Sequence, residues 1–86
     1  MALDYEIFLS HRVANRSVHK AFSKADWDRK ILPILERCGA VQTFKLSTVS
    51  IYQVTMGHDQ IMALNQELAA GYRLLTRSKR FHIRLK

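Results

Sequence analysis

Arg73, Arg77 and Arg80, with Lys79 beside them, follow Glu67, the last acidic residue of the chain. On a helix, positions i, i+4 and i+7 share one face, so these arginines are expected to form a single cationic ridge. A guanidinium fork holds two oxygens at once and sheds water more readily than an ammonium, so such a ridge suits phosphate recognition. Arg84 and Lys86 continue the same sign. A second acid-free run places Arg12, Arg16, Lys20 and Lys24 at every fourth position. If that run is helical it forms another ridge, whose self-repulsion of a few tenths of a kcal/mol per pair an anionic partner would relieve.

The clustering is stronger than the total. The 86 residues carry 14 Lys and Arg against 7 Asp and Glu, a formal net charge of +7. By segment, residues 1–10 sum to −2, 11–24 to +4, 25–70 to −1 and 71–86 to +6. A field of that sign attracts nucleic acid, acidic protein or anionic lipid and does not by itself choose among them.

Other reactive side chains give weaker constellations. Phe8 interrupts the polar side of an alternating segment, and His82 lies on the polar side of another, so the two are candidates for stacking on a base or partner. Glu6, His82 and Arg84 together have the residue types of a metal-independent ribonuclease: base, acid and phosphate clamp. That is the least favoured reading. His11, His19, His58 and His82 include no i, i+4 pair, and the one cysteine, Cys38, can form neither an intrachain disulfide nor a Cys-rich zinc set. Gly-rich phosphate loops, Gly-x-Ser-x-Gly turns and acidic metal clusters are missing as well. No metal, cofactor or catalytic residue is expected, and a non-enzymatic protein is the working assumption.

The elements that must position these residues follow from hydrophobic period. Residues 4–10 alternate, with Tyr5, Ile7 and Leu9 on one face. Ser23 with Asp26 resembles a capping box, opening a helix whose stripe is Trp27, Ile31, Ile34, Leu35 and Cys38 and whose stop is Gly39. Pro33 should kink it near residues 29–33 or start a second short helix. Residues 41–47 and 51–56 read as a hairpin turning at 48–50, with Phe44, Leu46, Tyr52, Val54 and Met56 inward. Asp59 is the expected N-cap of a last helix with stripe Ile61, Leu64, Leu68, Tyr72 and Leu75, ending near Thr76 or Ser78. Phe81, Ile83 and Leu85 then alternate inward in a final strand.

The expected fold is therefore α+β: a single small basic domain over residues 1–86, built as a two-layer β-α-β-β-α-β sandwich of ferredoxin-like type. It has a four-stranded antiparallel sheet in the order 4-1-3-2 and two helices on one face. The third strand lacks the glycine and outward aromatics of the RNA-recognition module, which shares this element order. The second strand is an edge guarded only by Lys45, so a homodimer is as plausible as a monomer.

No apolar run reaches the roughly 18 residues of a membrane span, and acids stand where a signal peptide would be basic. With the lone cysteine, this points to the cytoplasm. The functional expectation is a module that binds nucleic acid or a nucleoprotein complex through phosphates, using Arg12, Arg16, Lys20, Lys24, Arg73, Arg77, Lys79, Arg80, Arg84 and Lys86. The alternative is a small inhibitor or adaptor, of the kind mobile elements encode, that docks its basic face on an acidic host protein.

Overall fold

A computed structural model describes residues 1–13, 20–21, 24–46, 48–76 and 81–86; of residues 12, 13, 20, 21, 24, 75 and 76 it describes the backbone alone. The elements are β1 (Leu3–Ser10), β2 (Arg12–Val13), β3 (Lys20–Ala21), α1 (Lys24–Lys30), α2 (Leu32–Arg37), β4 (Val41–Lys45), β5 (Val49–Met56), α3 (His58–Thr76) and β6 (Phe81–Leu85). Strands β4, β5, β1 and β6 form a four-stranded sheet in that order. All three of its pairings are antiparallel, which places β1 in the interior beside β6. The alternation of β1 and β5 is realised as expected, with Tyr5, Ile7, Leu9, Tyr52, Val54 and Met56 buried beneath the helices.

The first helical region divides at Ile31 into α1 and α2, with Pro33 in the first turn of α2, where a proline costs no hydrogen bond. Both pieces keep the apolar stripe: Trp27, Ile31, Ile34 and Leu35 are buried with Ile61, Leu64, Leu68 and Tyr72 of α3 in one core. Burying each such side chain contributes about 1.5–3 kcal/mol before chain entropy is set against it. Gly39 ends α2 at φ +74°, the left-handed conformation that glycine adopts at no steric cost. Gly71 serves closeness. A Cβ there would stand 3.0 Å from both Ile31 Cδ1 and the Lys30 carbonyl oxygen, so its absence lets α3 cross against the α1–α2 junction.

Five expectations are corrected. Residues 12–13 and 20–21 are short paired strands, Arg12 opposite Ala21 and Val13 opposite Lys20, so Arg12, Arg16, Lys20 and Lys24 do not form one helical ridge. Cation spacing carries no burial energy, and only an apolar period commits a segment to a helix. Phe44 and Leu46 are 48% and 51% exposed, because β4 slips between Gln42 and Phe44 and the extra residue reverses the phase beyond it. Leu85 keeps its inward register opposite Tyr5 but is 59% exposed, while Phe81 is buried and Ile83 half-buried. The last helix is capped by Gly57 in place of Asp59: the Gly57 N–H donates to Gln60 Oε1 at 2.8 Å, and its carbonyl accepts the first helical bond from Ile61. The hairpin turn also moves, because β5 already begins at Val49 and the Leu46 N–H donates to the Val49 carbonyl.

Candidate functional site

The end of the sheet where β1 finishes and β6 begins is built by aromatic residues from four separate segments. His11 lies on Trp27 at a centroid distance of 4.0 Å, and Trp27 meets Tyr72 edge-on at 6.5 Å. Tyr72 in turn stacks on Phe81 at 5.5 Å. The hydroxyl of Tyr72 donates to the Ser10 carbonyl at 2.8 Å, tying α3 to the last residue of β1. His11 also shares a hydrogen bond with the buried Ser50, and its backbone N–H donates to the Thr48 carbonyl. Burial, and secondarily Lys45, holds the His11 imidazole below its ordinary pKa, so it sits there neutral near pH 7.

These aromatics bracket the basic segments. His11 precedes Arg12 and Trp27 follows Lys24 by three residues; Tyr72 precedes Arg73 and Phe81 follows Arg80. Both cation-rich runs are therefore flanked in sequence by residues of this one cluster. Outside the bracketed residues 11–27 and 72–81 the chain is neutral, its 6 acids matched by Arg29, Lys30, Arg37, Lys45, Arg84 and Lys86. Several of those are locally paired, Arg29 with Asp26, Arg37 with Glu67 and Arg84 with Glu6. The surplus of +7 belongs to the bracketed residues, Arg12, Arg16, Lys20, Lys24, Arg73, Arg77, Lys79 and Arg80 against the one acid Asp26.

Of the residues singled out from sequence, Arg12 and Lys20 stand in β2 and β3, and Lys24 opens α1. Arg73 is exposed in the last turn of α3. Arg16, Arg77, Lys79 and Arg80 lie outside the described residues, as does the Ser23 cap. Arg84 and Lys86 are exposed beside β1, where Arg84 Nη2 donates to Glu6 Oε1 at 3.0 Å and Lys86 Nζ to Gln53 Oε1 at 3.0 Å. Phe8 and His82 are directly opposed in register with ring centroids 6.3 Å apart, and the Arg84 guanidinium lies 4.9 Å above the Phe8 ring. Alternation along two neighbouring strands was enough to bring this pair together.

The aromatic bracket was not anticipated. Trp27, Tyr72 and Phe81 read from sequence as core and His11 as nothing in particular; their spacing relative to the basic runs is the signal that would have found them. Two clefts of about 420 and 410 Å³ open elsewhere, one lined by Cys38, Gly39, Val41, Thr43, Gln53, Val54 and Thr55, the other by Met1, Gly57, His58, Asp59 and Gln60. Cys38 packs against the core, its thiol donating to the Leu35 carbonyl at 3.3 Å and pushed up in pKa by burial. Among the described residues no three His, Cys, Asp or Glu side chains converge as metal ligands, and no helix is long and apolar enough to cross a membrane. No protein-family model, curated protein or solved structure matches the chain.

Proposed function

We propose that the protein is a non-enzymatic basic module that binds nucleic acid, free or within a nucleoprotein complex, through backbone phosphates. The supporting observation is that the whole charge surplus is bracketed by one aromatic cluster at one end of a sheet whose remaining charges cancel. Cations clustered along the sequence repel one another, and a polyanion relieves that repulsion while releasing its own counterions. The fold that carries them is read as ferredoxin-like, with its first helix split at Pro33 and a small hairpin inserted after β1. A chain with one half-buried cysteine fits a reducing compartment, the cytoplasm.

The test is binding to labelled oligonucleotides across a series of salt concentrations. Affinity is expected to fall steeply with salt and to be abolished by heparin. Replacing Arg73, Arg77 and Arg80 with Ala should cost about 1–3 kcal/mol and reduce the salt slope by roughly one unit for each phosphate that is no longer neutralised. Replacing Arg29 and Lys30, in the charge-balanced part, should change neither. A folded protein that ignores oligonucleotide at low salt but retains one host protein after nuclease treatment would replace this reading with the adaptor or inhibitor.

A further inference from the structure

The slip in β4 changes the outer face of the sheet. Directly opposed residues of antiparallel strands share a face. Phe44 is opposite Ile51, Ile51 is opposite Phe8, and Phe8 is opposite His82. Because Ser50, Tyr52, Val54 and Met56 take the buried face of β5, Ile51 stands on the outer one, and the row Phe44–Ile51–Phe8–His82 crosses all four strands on the side away from the helices. It carries three ring systems and one aliphatic side chain. Phe44 and His82 are exposed, Phe8 and Ile51 half-buried.

We propose that this row is a stacking platform for the unpaired bases of single-stranded nucleic acid. The proposal rests on the phosphate-binding function above and names the form of nucleic acid that the module takes. Three observations carry it. Flat rings on an open sheet match the π-faces that every base exposes when it is not paired, and a duplex withholds those faces. Arg84 is held by Glu6 above Phe8, where a guanidinium plane serves both as a stacking surface and as a phosphate donor. Last, Arg84 and Lys86 alternate with His82 along the last strand, Lys86 Nζ reaching Gln53 two residues from Ile51, so two exposed cations stand beside the row. A strand whose bases lie on the row therefore has its phosphates within reach of these two cations. A docked protein would cover the same apolar row, but it would bring no continuous line of negative charge to Arg84 and Lys86.

The experiment compares single-stranded DNA and RNA oligonucleotides with the duplex of the same sequence, at one salt concentration and then across a salt series, for the parent chain and for Phe44→Ser, His82→Ala and Phe8→Leu. Phe44 and His82 are exposed, and Phe8→Leu keeps an apolar side chain in place, so the variants test the face without emptying the core; circular dichroism confirms that each is folded. Single strands of either sugar are expected to bind more tightly than duplex. They should quench 2-aminopurine placed in the oligonucleotide. Each ring substitution is expected to weaken single-strand binding on the order of 10-fold while leaving duplex binding and the salt slope unchanged. Equal affinity for single and double strands, with variants that behave as the parent, would overturn the platform and leave the phosphate function standing. Failure of all forms of nucleic acid to bind would overturn both.

Discussion

The two ends of the sheet are made from the same strands and are held in different ways. At the end formed by Leu3 and Met56, contacts are polar and local to the surface: Thr55 Oγ1 donates to Asp4 Oδ1, the Lys86 N–H to the Asp4 carbonyl, and Gly57 is capped by Gln60. At the other end, Trp27 joins His11 to Tyr72, and Tyr72 joins Ser10 to Phe81. Exposed polar contacts contribute little each, whereas buried aromatic contacts add about 0.5–1.5 kcal/mol per pair beyond the area they bury. The aromatic end is also the one whose residues flank the cation-rich stretches of the sequence.

The largest test of that contrast is Trp27→Ala. It empties a buried indole site and removes both ring contacts, with an expected loss of about 3–5 kcal/mol in urea unfolding. Thr55→Val at the opposite end should stay within about 0.5 kcal/mol of the parent. Similar midpoints for the two variants would erase the distinction between the ends.

Gly71→Ala is the intermediate case. Alanine adds about 1 kcal/mol of helix propensity, but its Cβ meets Ile31, Ile34 and the Lys30 backbone oxygen. Side-chain ends can yield and the carbonyl cannot do so cheaply, so overpacking, about 1–3 kcal/mol, is expected to prevail and leave a net loss near 1 kcal/mol. A more stable Gly71→Ala protein would show that the helices part without cost.

The smallest effect concerns pH. The neutral form of His11 is favoured in the folded state, so the unfolded chain takes up a proton first as pH falls below about 6.5. More protons bound to the unfolded state means that stability declines with falling pH in that window and recovers above it. The groups facing the ring are Ser50, Trp27 and, through its charge, Lys45. In urea titrations between about pH 7 and 5, His11→Gln should show a shallower decline than the parent; parallel curves would remove His11 from the account.

Much of the fold was legible because strands β1 and β5 alternate without interruption and α3 carries an unbroken apolar stripe. Pro33 announced the division of the first helix because its chemistry is local. Phe44 was misplaced for the opposite reason. The slip beside it depends on pairing with β5, and the segment Val41–Lys45 contains no glycine or proline to mark it. Leu85 alternates correctly yet is exposed, since how far the helices extend over a strand is a tertiary matter. The evenly spaced cations suggested a helix over a segment of which residues 12–13 and 20–21 instead pair as strands, a reminder that charge periodicity without an apolar counterpart carries no folding instruction. At the site, Phe8 and His82 followed from two neighbouring strands, whereas the bracket of His11, Trp27, Tyr72 and Phe81 needs four segments brought together.

The interior position of β1 also sets an order of events. Its register with β6 joins Tyr5 to Leu85 and Leu9 to Phe81, and the Tyr72–Ser10 hydrogen bond spans 62 residues. Contacts of such separation are slow to form, because a long loop must close before any of them is made. During synthesis β1 can pair with β5 once the hairpin has emerged, but its other edge stays open until Phe81–Leu85 leaves the ribosome. A chain cut between Thr76 and Phe81 would carry that edge permanently, and its expected fate is pairing with another copy rather than folding alone.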